Sequence, residues 1–311
     1  MKILYIIIGA LVALLLLLLA VMWTPDRDRA TLEAQYLESP ADLVTVIDTT
    51  LHVRDTGPRS AHAVLMLHGL GASLHTWEPW AEALQSQYRV LRLDMPGAGL
   101  SPPDAKNNYS DERMISLITA LMDDRGLRTI DLIGHSMGGR IAWRFAAAQP
   151  QRLRKLVLVA PDGFASPGFE YNQTPEVPVA MEAMRYLLPE FLFRANVEAS
   201  YADPDRLTEA NMQRYYDLVL APGNRAALLE RTRQTRLQPP PPILQTIATP
   251  TLLVWGEQDQ MIPFANARDY LAHLRNVELV SFDGLGHVPH EEAPQQVLPA
   301  VEKFLGTPPP G

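Results

Sequence analysis

Short apolar segments alternate with helix-forming segments along most of this chain of 311 residues. Several of the apolar segments are unbroken aliphatic runs, as is typical of strands that are covered on both faces of a parallel sheet. The predicted strands are 43–47, 51–54, 64–67, 90–93, 130–133, 156–159, 252–255 and 277–282. The predicted helices are 77–85, 111–123, 137–148, 265–274 and 294–304. This alternation predicts an α/β fold with a mostly parallel, eight-stranded sheet.

Residues 161–249 interrupt the alternation with helix-forming segments that are broken by proline and glycine. Ligands of open α/β sheets bind at the carboxyl ends of the strands, so we expect this insertion to form a helical cap there. The two flanking parts, 42–160 and 250–306, are the predicted core. Residues 307–311 are a predicted tail.

Residues 3–23 form an uncharged, almost wholly apolar run. As an α-helix this run would extend roughly 31 Å, about the thickness of the hydrocarbon core of a bilayer. It has no polar face, which argues against a helix of the protein core. A cleaved signal peptide is the alternative, but such peptides have a shorter apolar region and a small-x-small cleavage site. Residues 1–23 are therefore a predicted transmembrane anchor.

Residues 24–41 form a predicted juxtamembrane segment, and 27–37 within it is polar and helix-forming. This helix could lie on the membrane surface, pair with a second copy, or act as a spacer. Pairing through the anchor and this segment would produce a homodimer. Lys2 before the apolar run, and the large domain after it, favour an exported domain on a single-pass anchor.

The composition excludes several classes of function. The chain has 27 Lys and Arg against 35 Asp and Glu, a formal net charge of −8, and therefore no electrostatic footprint for nucleic acid. It contains no cysteine. That absence rules out a disulfide framework, a thiolate metal site and a cysteine nucleophile.

A Gly-x-Ser-x-Gly motif, centred on Ser136 between Gly134 and Gly138, follows a predicted strand and precedes a predicted helix. In that context a sharp turn exposes the serine, and the glycines keep neighbouring side chains away from it. Ser136 is the predicted nucleophile, and it needs a base to accept its proton.

Two backbone amides are expected to stabilise the developing oxyanion. One belongs to Leu70, in the glycine-rich loop after strand 64–67, and the other to Met137. The loop that begins at Asp94 also follows a strand, but its Asp, Pro and Gly residues indicate a structural turn that supports the site.

The base and its carboxylate come from the last two strands. His287 lies in a glycine-rich loop after strand 277–282 and is the predicted base, with His290 as the competing candidate. Asp259 follows strand 252–255 and is the predicted acid, with Asp162 and Glu257 as alternatives. We expect three further histidines to shape the site: His68, His75 and His135.

The order Ser136, Asp259, His287, together with the two loops, resembles the α/β-hydrolase superfamily over residues 43–304. With the added anchor, the chain is similar to bacterial membrane-anchored esterases and phospholipases A of this fold. The resemblance implies a serine carboxylic-ester hydrolase that needs no metal or cofactor. It also implies a bacterial inner-membrane protein with a periplasmic catalytic domain.

The cap and the anchor together suggest a lipid-like acyl ester, such as a phospholipid or lysophospholipid. Met181, Met184 and Leu188 have the spacing of one helical face, and we expect them, with His68, to contact the substrate. Alternatives on the same fold are a carbon–carbon bond hydrolase, a cofactor-free perhydrolase and an inactive ligand-binding homologue. The first of these acts on soluble dienoates, so the anchor argues against it.

Overall fold

The computed structural model describes residues 1–166 and 169–306. The predicted tail, 307–311, lies outside the described residues, as do two positions of the predicted cap, 167 and 168.

Eight strands form one sheet in the order β1-β2-β4-β3-β5-β6-β7-β8. Strands β1 and β2 pair antiparallel, β2 also pairs antiparallel with β4, and the remaining pairs are parallel. The strands are β1 Leu43–Val46, β2 Thr49–Thr56, β3 Ala63–Leu67, β4 Arg89–Leu93, β5 Ile130–His135, β6 Leu153–Val159, β7 Thr251–Gly256 and β8 Val277–Phe282. The predicted mostly parallel, eight-stranded α/β fold is confirmed.

The helices fall into three groups. The N-terminal helices are α1 Lys2–Met22 and α2 Arg29–Tyr36. The helices of the core are α3 Glu78–Leu84, α4 Asp111–Asp124, α5 Met137–Ala148, α11 Asn266–His273, α12 Pro289–Glu292 and α13 Pro294–Gly306. The helices of the cap are α6 Val179–Glu182, α7 Glu190–Glu198, α8 Glu209–Val219 and α9 Asn224–Gln234. Helix α10, Pro241–Leu244, lies within the predicted cap segment but packs on α5, with Leu244 in the main core.

Apolar side chains cover both faces of the sheet, as the unbroken aliphatic strands predict. One layer packs α4 and α5 against the sheet, around residues such as Leu65, Leu132 and Phe145. The other layer packs α3 and α13 against the opposite face, around Val64, Trp80 and Val301. Two-sided burial leaves the carboxyl ends of the parallel strands as the place where polar loops meet.

Helix α1 stands apart from these layers. It has 21 residues, is long and apolar enough to cross a membrane, and has no buried residue. A helix of that length spans about 30 Å. Most of its apolar surface is therefore exposed, and only Met22, at its end, is half-buried.

The segment after α1 packs against the body. Leu32, on α2, is 1% exposed and contacts Leu100 and Leu218. Tyr36 donates a hydrogen bond of 2.9 Å from its hydroxyl to Asp217. Leu32, the buried apolar residue of α2, thus packs against both the core and the cap. A homodimer through this segment stays a prediction.

The cap has a small apolar centre of its own, formed by α7, α8 and the turn after α7, with Phe193, Met212 and Tyr216. Val288, next to His287 in the sequence, is part of the same cluster. The cap therefore packs directly on the loop that carries the predicted base.

Candidate active site

Ser136 lies at the tight turn between β5 and α5. Its backbone angles are φ 52° and ψ −120°, a conformation that costs a non-glycine residue about 1–3 kcal/mol. The Ser136 amide donates to the Val159 carbonyl at 3.0 Å, and the Ser136 carbonyl accepts from the Asp162 amide at 3.0 Å. These bonds to the neighbouring strand and loop hold the turn in its strained geometry.

The two glycines of the motif are required by close backbone contacts. A Cβ atom on Gly134 would lie 2.3 Å from the Gly138 carbonyl oxygen. A Cβ atom on Gly138 would lie 2.5 Å from the Leu67 carbonyl oxygen, at the end of β3. Small residues at these positions allow α5 to begin directly beneath the ends of two strands.

Asp259 and His287 meet at the ends of β7 and β8. His287 Nδ1 lies 2.8 Å from Asp259 Oδ2, and both side chains are nearly or fully buried. The other oxygen, Oδ1, accepts from the amides of Met261 and Ile262, each at 2.9 Å. Because the carboxylate accepts from Nδ1–H, Nε2 of His287 is left with its lone pair free to take a proton.

His135 connects the serine turn to the histidine loop. Its Nε2 donates to the His287 carbonyl at 2.9 Å, and the two rings lie 4.7 Å apart. Burial lowers the pKa of His135 well below its ordinary value, so this ring is neutral at physiological pH. The bond fixes the backbone of His287 beside the residue that precedes Ser136.

Leu70 and Met137, the two predicted donors to the oxyanion, line one cavity. Met137 is the first residue of α5, and amides in the first turn of a helix have no acceptor within it. A Cβ atom on Gly69, just before Leu70, would lie 3.2 Å from Ser136 Cβ. The glycine loop thus approaches Ser136 closely, as an oxyanion site requires.

The competing carboxylates have other partners. Asp162 pairs with Arg140 at 3.2 Å, and Glu257 accepts from the Ser281 hydroxyl at 2.7 Å. Asp94 is fully buried and accepts from His52 and from the Leu74 and Leu100 amides. Asp94 thus stabilises its loop, as the sequence indicates.

His68 lines the cavity beside Leu70, so its predicted contact with a substrate stays a prediction, although both ring nitrogens already have partners in the protein. Its side chain is fully buried. Nε2 accepts from the Met95 amide at 3.0 Å, and Nδ1 donates to the Gly69 carbonyl at 2.7 Å. Through these two bonds, His68 fixes the glycine loop to the loop after β4.

The predicted helical face of Met181, Met184 and Leu188 is wrong, whereas their contact with a substrate stays a prediction. Helix α6 ends at Glu182, and the chain tightens into a 3-10 turn at Ala183–Arg185. Leu188 is 5% exposed in the apolar centre of the cap, and Met184 packs against the same centre. None of the three is among the residues that line the cavity beside Leu70. Its apolar cap residues are Leu218, Val219 and Leu228.

Glu292 is a residue that sequence reasoning missed. Its Oε2 accepts from the Gly286 amide at 2.7 Å, and Oε1 accepts from the Ala202 and Asp203 amides at 3.1 and 3.0 Å. One carboxylate therefore joins the His287 loop to the cap. The Glu-Glu pair after the histidine loop is a weak signal, because its function depends on a long-range contact.

His290 lies behind the site rather than in it. Its side chain is fully buried, with its ring 4.2 Å from Trp77 and 4.5 Å from His135. Neither ring nitrogen has a hydrogen-bond partner in the described residues. In the same residues, no group of three or more His, Asp or Glu side chains is arranged to hold a metal ion.

Comparison with known proteins supports the same fold. Residues 62–294 match the family profile described as the alpha/beta hydrolase fold. A 2-hydroxy-6-oxononadienedioate/2-hydroxy-6-oxononatrienedioate hydrolase from Cupriavidus pinatubonensis is 29% identical over 267 residues, 82% of this chain and 90% of that protein.

Two solved structures match this chain over different shares of its length. A meta-cleavage product hydrolase from Pseudomonas fluorescens matches with a TM-score of 0.72 and 21% identity, covering 85% of this chain and 98% of its own. A bacterial membrane phospholipase A matches with a TM-score of 0.72 and 25% identity, covering 98% of both chains. The second match therefore extends into the N-terminal helix.

Proposed function

The chain belongs to the alpha/beta hydrolase fold family, and we propose that it is a membrane-anchored serine hydrolase of lipid-like acyl esters, such as phospholipids or lysophospholipids. In this proposal Ser136 is the nucleophile, His287 the general base and Asp259 the residue that orients it. The observation that carries the lipid assignment is the direct attachment of the apolar helix to the cap over the site.

The proposed reaction has two steps. Ser136 Oγ attacks the ester carbonyl carbon while its proton moves to Nε2 of His287, and the alcohol leaves with that proton. Water then gives a proton to the same nitrogen and attacks the acyl-enzyme, which releases the acid and restores the serine. The amides of Leu70 and Met137 stabilise both oxyanions, and losing one such donor typically costs about 10²–10³ in rate.

The end of α1 is bonded to the cap. The Thr24 amide donates to the Tyr186 carbonyl at 2.8 Å, and the Leu188 amide donates to the Thr24 hydroxyl at 3.2 Å. The Trp23 and Tyr186 rings stack with centroids 5.6 Å apart. Aromatic residues favour the membrane interface, so these contacts support the proposal that the cap lies against the bilayer.

The same part of the cap exposes apolar side chains. Val179, Tyr186, Phe191 and Leu192 are 86, 55, 66 and 50% exposed. Tyr186 stacks on Trp23, and the other three lie within seven residues of Tyr186 in the sequence. An apolar surface of this kind suits contact with lipid. The part of the chain that follows α1 is acidic overall, so its net charge does not attract it to anionic lipid.

We further propose that α1 is retained and that the catalytic domain lies in the periplasm of a bacterial cell. Retention is supported by the length of α1, whose 21 residues exceed the apolar region of a cleaved signal peptide. Sequencing the N-terminus of the mature protein tests retention, because cleavage would remove the start of the chain.

A chain-length series of p-nitrophenyl esters, with a lysophospholipid in mixed micelles, tests the substrate class. We expect kcat/KM to rise at least tenfold from acetate to a medium-chain ester, since each buried methylene contributes about 0.8 kcal/mol. The lysophospholipid should be hydrolysed, and Ser136→Ala should abolish both activities while the protein still folds. Activity confined to acetate esters would contradict the proposal.

A carbon–carbon bond hydrolase is the second candidate, because the named relatives include hydrolases of dienedioates. A 2-hydroxy-6-oxo dienedioate supplied to the full-length protein separates the two candidates. Our proposal predicts no cleavage above that of Ser136→Ala. Turnover of the dienedioate without turnover of medium-chain esters would favour the second candidate.

A further inference from the structure

Arg231 differs from the other buried arginines in the described part of the chain. Each of the others forms an ion pair with a carboxylate: Arg54 and Arg92 with Glu78, Arg89 with Asp55, Arg140 with Asp111 and Asp162, and Arg225 with Asp26. Arg231 is 6% exposed and has no ion pair within residues 1–166 and 169–306. A buried charge without a counterion is costly, so the chain keeps it against an energetic penalty.

The protein partners of Arg231 account for only part of its hydrogen-bonding capacity. Nη2 donates to the Pro96 carbonyl at 2.7 Å, and the guanidinium lies 5.1 Å from the centre of the Tyr109 ring. A guanidinium has five N–H donors. A neutral side chain such as glutamine could supply the bond to Pro96, so that bond does not explain why a charge is present.

The position of Arg231 connects it to the candidate active site. It lines the same cavity as Leu70 and Met137. Its acceptor Pro96 adjoins Met95, whose amide donates to His68 in the glycine loop that approaches Ser136. The unpaired charge therefore lies in the wall of the space that a substrate of Ser136 would enter.

Arg231 remains a cation under physiological conditions. Burial lowers its pKa to about 10, which still leaves the guanidinium protonated near pH 7. The rest of the cavity wall is mainly glycine, alanine and aliphatic side chains. In such a setting an oxyanion forms stronger hydrogen bonds with a guanidinium than it does in water.

We infer that Arg231 binds an anionic oxygen group, a phosphate or a carboxylate, of the ligand that occupies this cavity. Bound there, the anion supplies the counterion that the protein does not. Where the ligand is the lipid ester, an assignment that rests on the proposed function, Arg231 selects substrates that carry a negative charge close to the scissile ester.

Binding to the full-length Ser136→Ala protein in neutral detergent tests this inference without turnover. The probes are octyl phosphate, octanoate and octanol, which share one alkyl chain. We expect the better anion to bind about tenfold to a hundredfold more tightly than octanol, which is the usual value of a charge-assisted hydrogen bond. Arg231→Gln should remove that preference, and Arg231→Lys should retain part of it.

Arg236→Gln is the matched control, because Arg236 is an exposed arginine just after the same helix. It should leave all three affinities unchanged. A preference for octyl phosphate over octanoate would assign the site to a phosphate headgroup, and the reverse would assign it to a carboxylate. Equal binding of the anions and octanol, or an equal loss for all three probes in Arg231→Gln, would overturn the inference.

The binding test is independent of the esterase assay. If Arg231-dependent anion binding occurs but no ester is hydrolysed, the anion site stands and the proposed function fails. If medium-chain esters are hydrolysed but the probes bind alike, the proposed function stands and the anion site is lost. The thermal unfolding midpoint of each variant shows whether it folds.

Discussion

The strand-end loops and the cap build the candidate site in different ways. In the loops, short backbone contacts determine the geometry: Ser136 is fixed by bonds to neighbouring strands, and Gly134 and Gly138 have no room for a side chain. Where the cap meets the core, single side chains make contacts between residues far apart in the sequence, such as Glu292 of the core with Ala202 and Asp203 of the cap.

This difference separates two aspects of the proposed function. The loops carry the groups that would perform the chemistry on any ester. The cap and the residues that it contacts determine which molecule reaches them and from where. Changes in the loops should therefore reduce the turnover of every substrate, whereas changes at the cap contacts should have smaller effects that depend on the substrate.

The largest expected effect is that of Asp259→Asn. The one oxygen of an asparagine is needed by the Met261 and Ile262 amides, so its NH2 group faces Nδ1 of His287. A donor at that place favours the wrong tautomer of the ring, and we expect kcat to fall about 10⁴-fold. Asp162→Asn is the matched variant, because Asp162 pairs with Arg140, which also pairs with Asp111. It should change kcat less than threefold. The opposite ranking in an esterase assay would move the orienting acid to the loop after β6.

The loops could be located from the sequence because their signals are local. The bounds of each predicted strand lie within three residues of the observed ones, and the predicted serine, acid and base each follow a strand. The cap offered no such rule. Its helices are short. Met181, Met184 and Leu188 have the spacing of an α-helix, but the α-helix ends at Glu182 and a 3-10 turn follows at Ala183–Arg185. Arg231 and Glu292 acquire their significance from partners more than 80 residues away.

The next effect tests the junction between the two regions. Glu292→Gln replaces a carboxylate that accepts from three amides by a neutral group with one accepting oxygen. We expect unfolding to become easier by about 1–3 kcal/mol and kcat to fall for acetate and long-chain esters alike, since the His287 loop is released. Glu302→Gln, on the exposed face of α13, is the control. An unchanged melting temperature would show that Glu292 does not secure the junction.

His290 should make the fold sensitive to acid. Burial lowers its pKa to about 3, whereas an unfolded histidine titrates near 6.5. Between these values the unfolded chain binds one more proton, so stability falls as pH decreases below 6.5, by about 1.4 kcal/mol per pH unit for each such group. His75 behaves in the same way, with a pKa of about 3 caused by its burial.

Denaturant unfolding at several pH values between 4 and 7 checks this contribution. His290→Phe keeps an aromatic ring against Trp77 and cannot take up a proton. The free energy of unfolding of the variant should therefore fall less steeply with decreasing pH than that of the wild type. The difference in slope should correspond to the uptake of one proton. Because phenylalanine also removes two unpartnered nitrogens, it should be at least as stable at pH 7. An unchanged slope would contradict this account of His290.

The smallest expected effect concerns the contact between the anchor and the cap. A stacked aromatic pair contributes about 0.5–1.5 kcal/mol beyond its buried area, so the coupling of Trp23→Ala and Tyr186→Ala in a double-mutant cycle should be about twofold to tenfold in kcat/KM. The coupling should occur with a lysophospholipid in micelles and not with a soluble acetate ester, because the pair is proposed to hold the cap at the lipid surface. Tyr5→Ala removes an exposed aromatic ring of α1 far from the cap and is the control. Equal coupling for both substrates would mean that the stack stabilises the cap itself and would assign this contact to the fold rather than to lipid access.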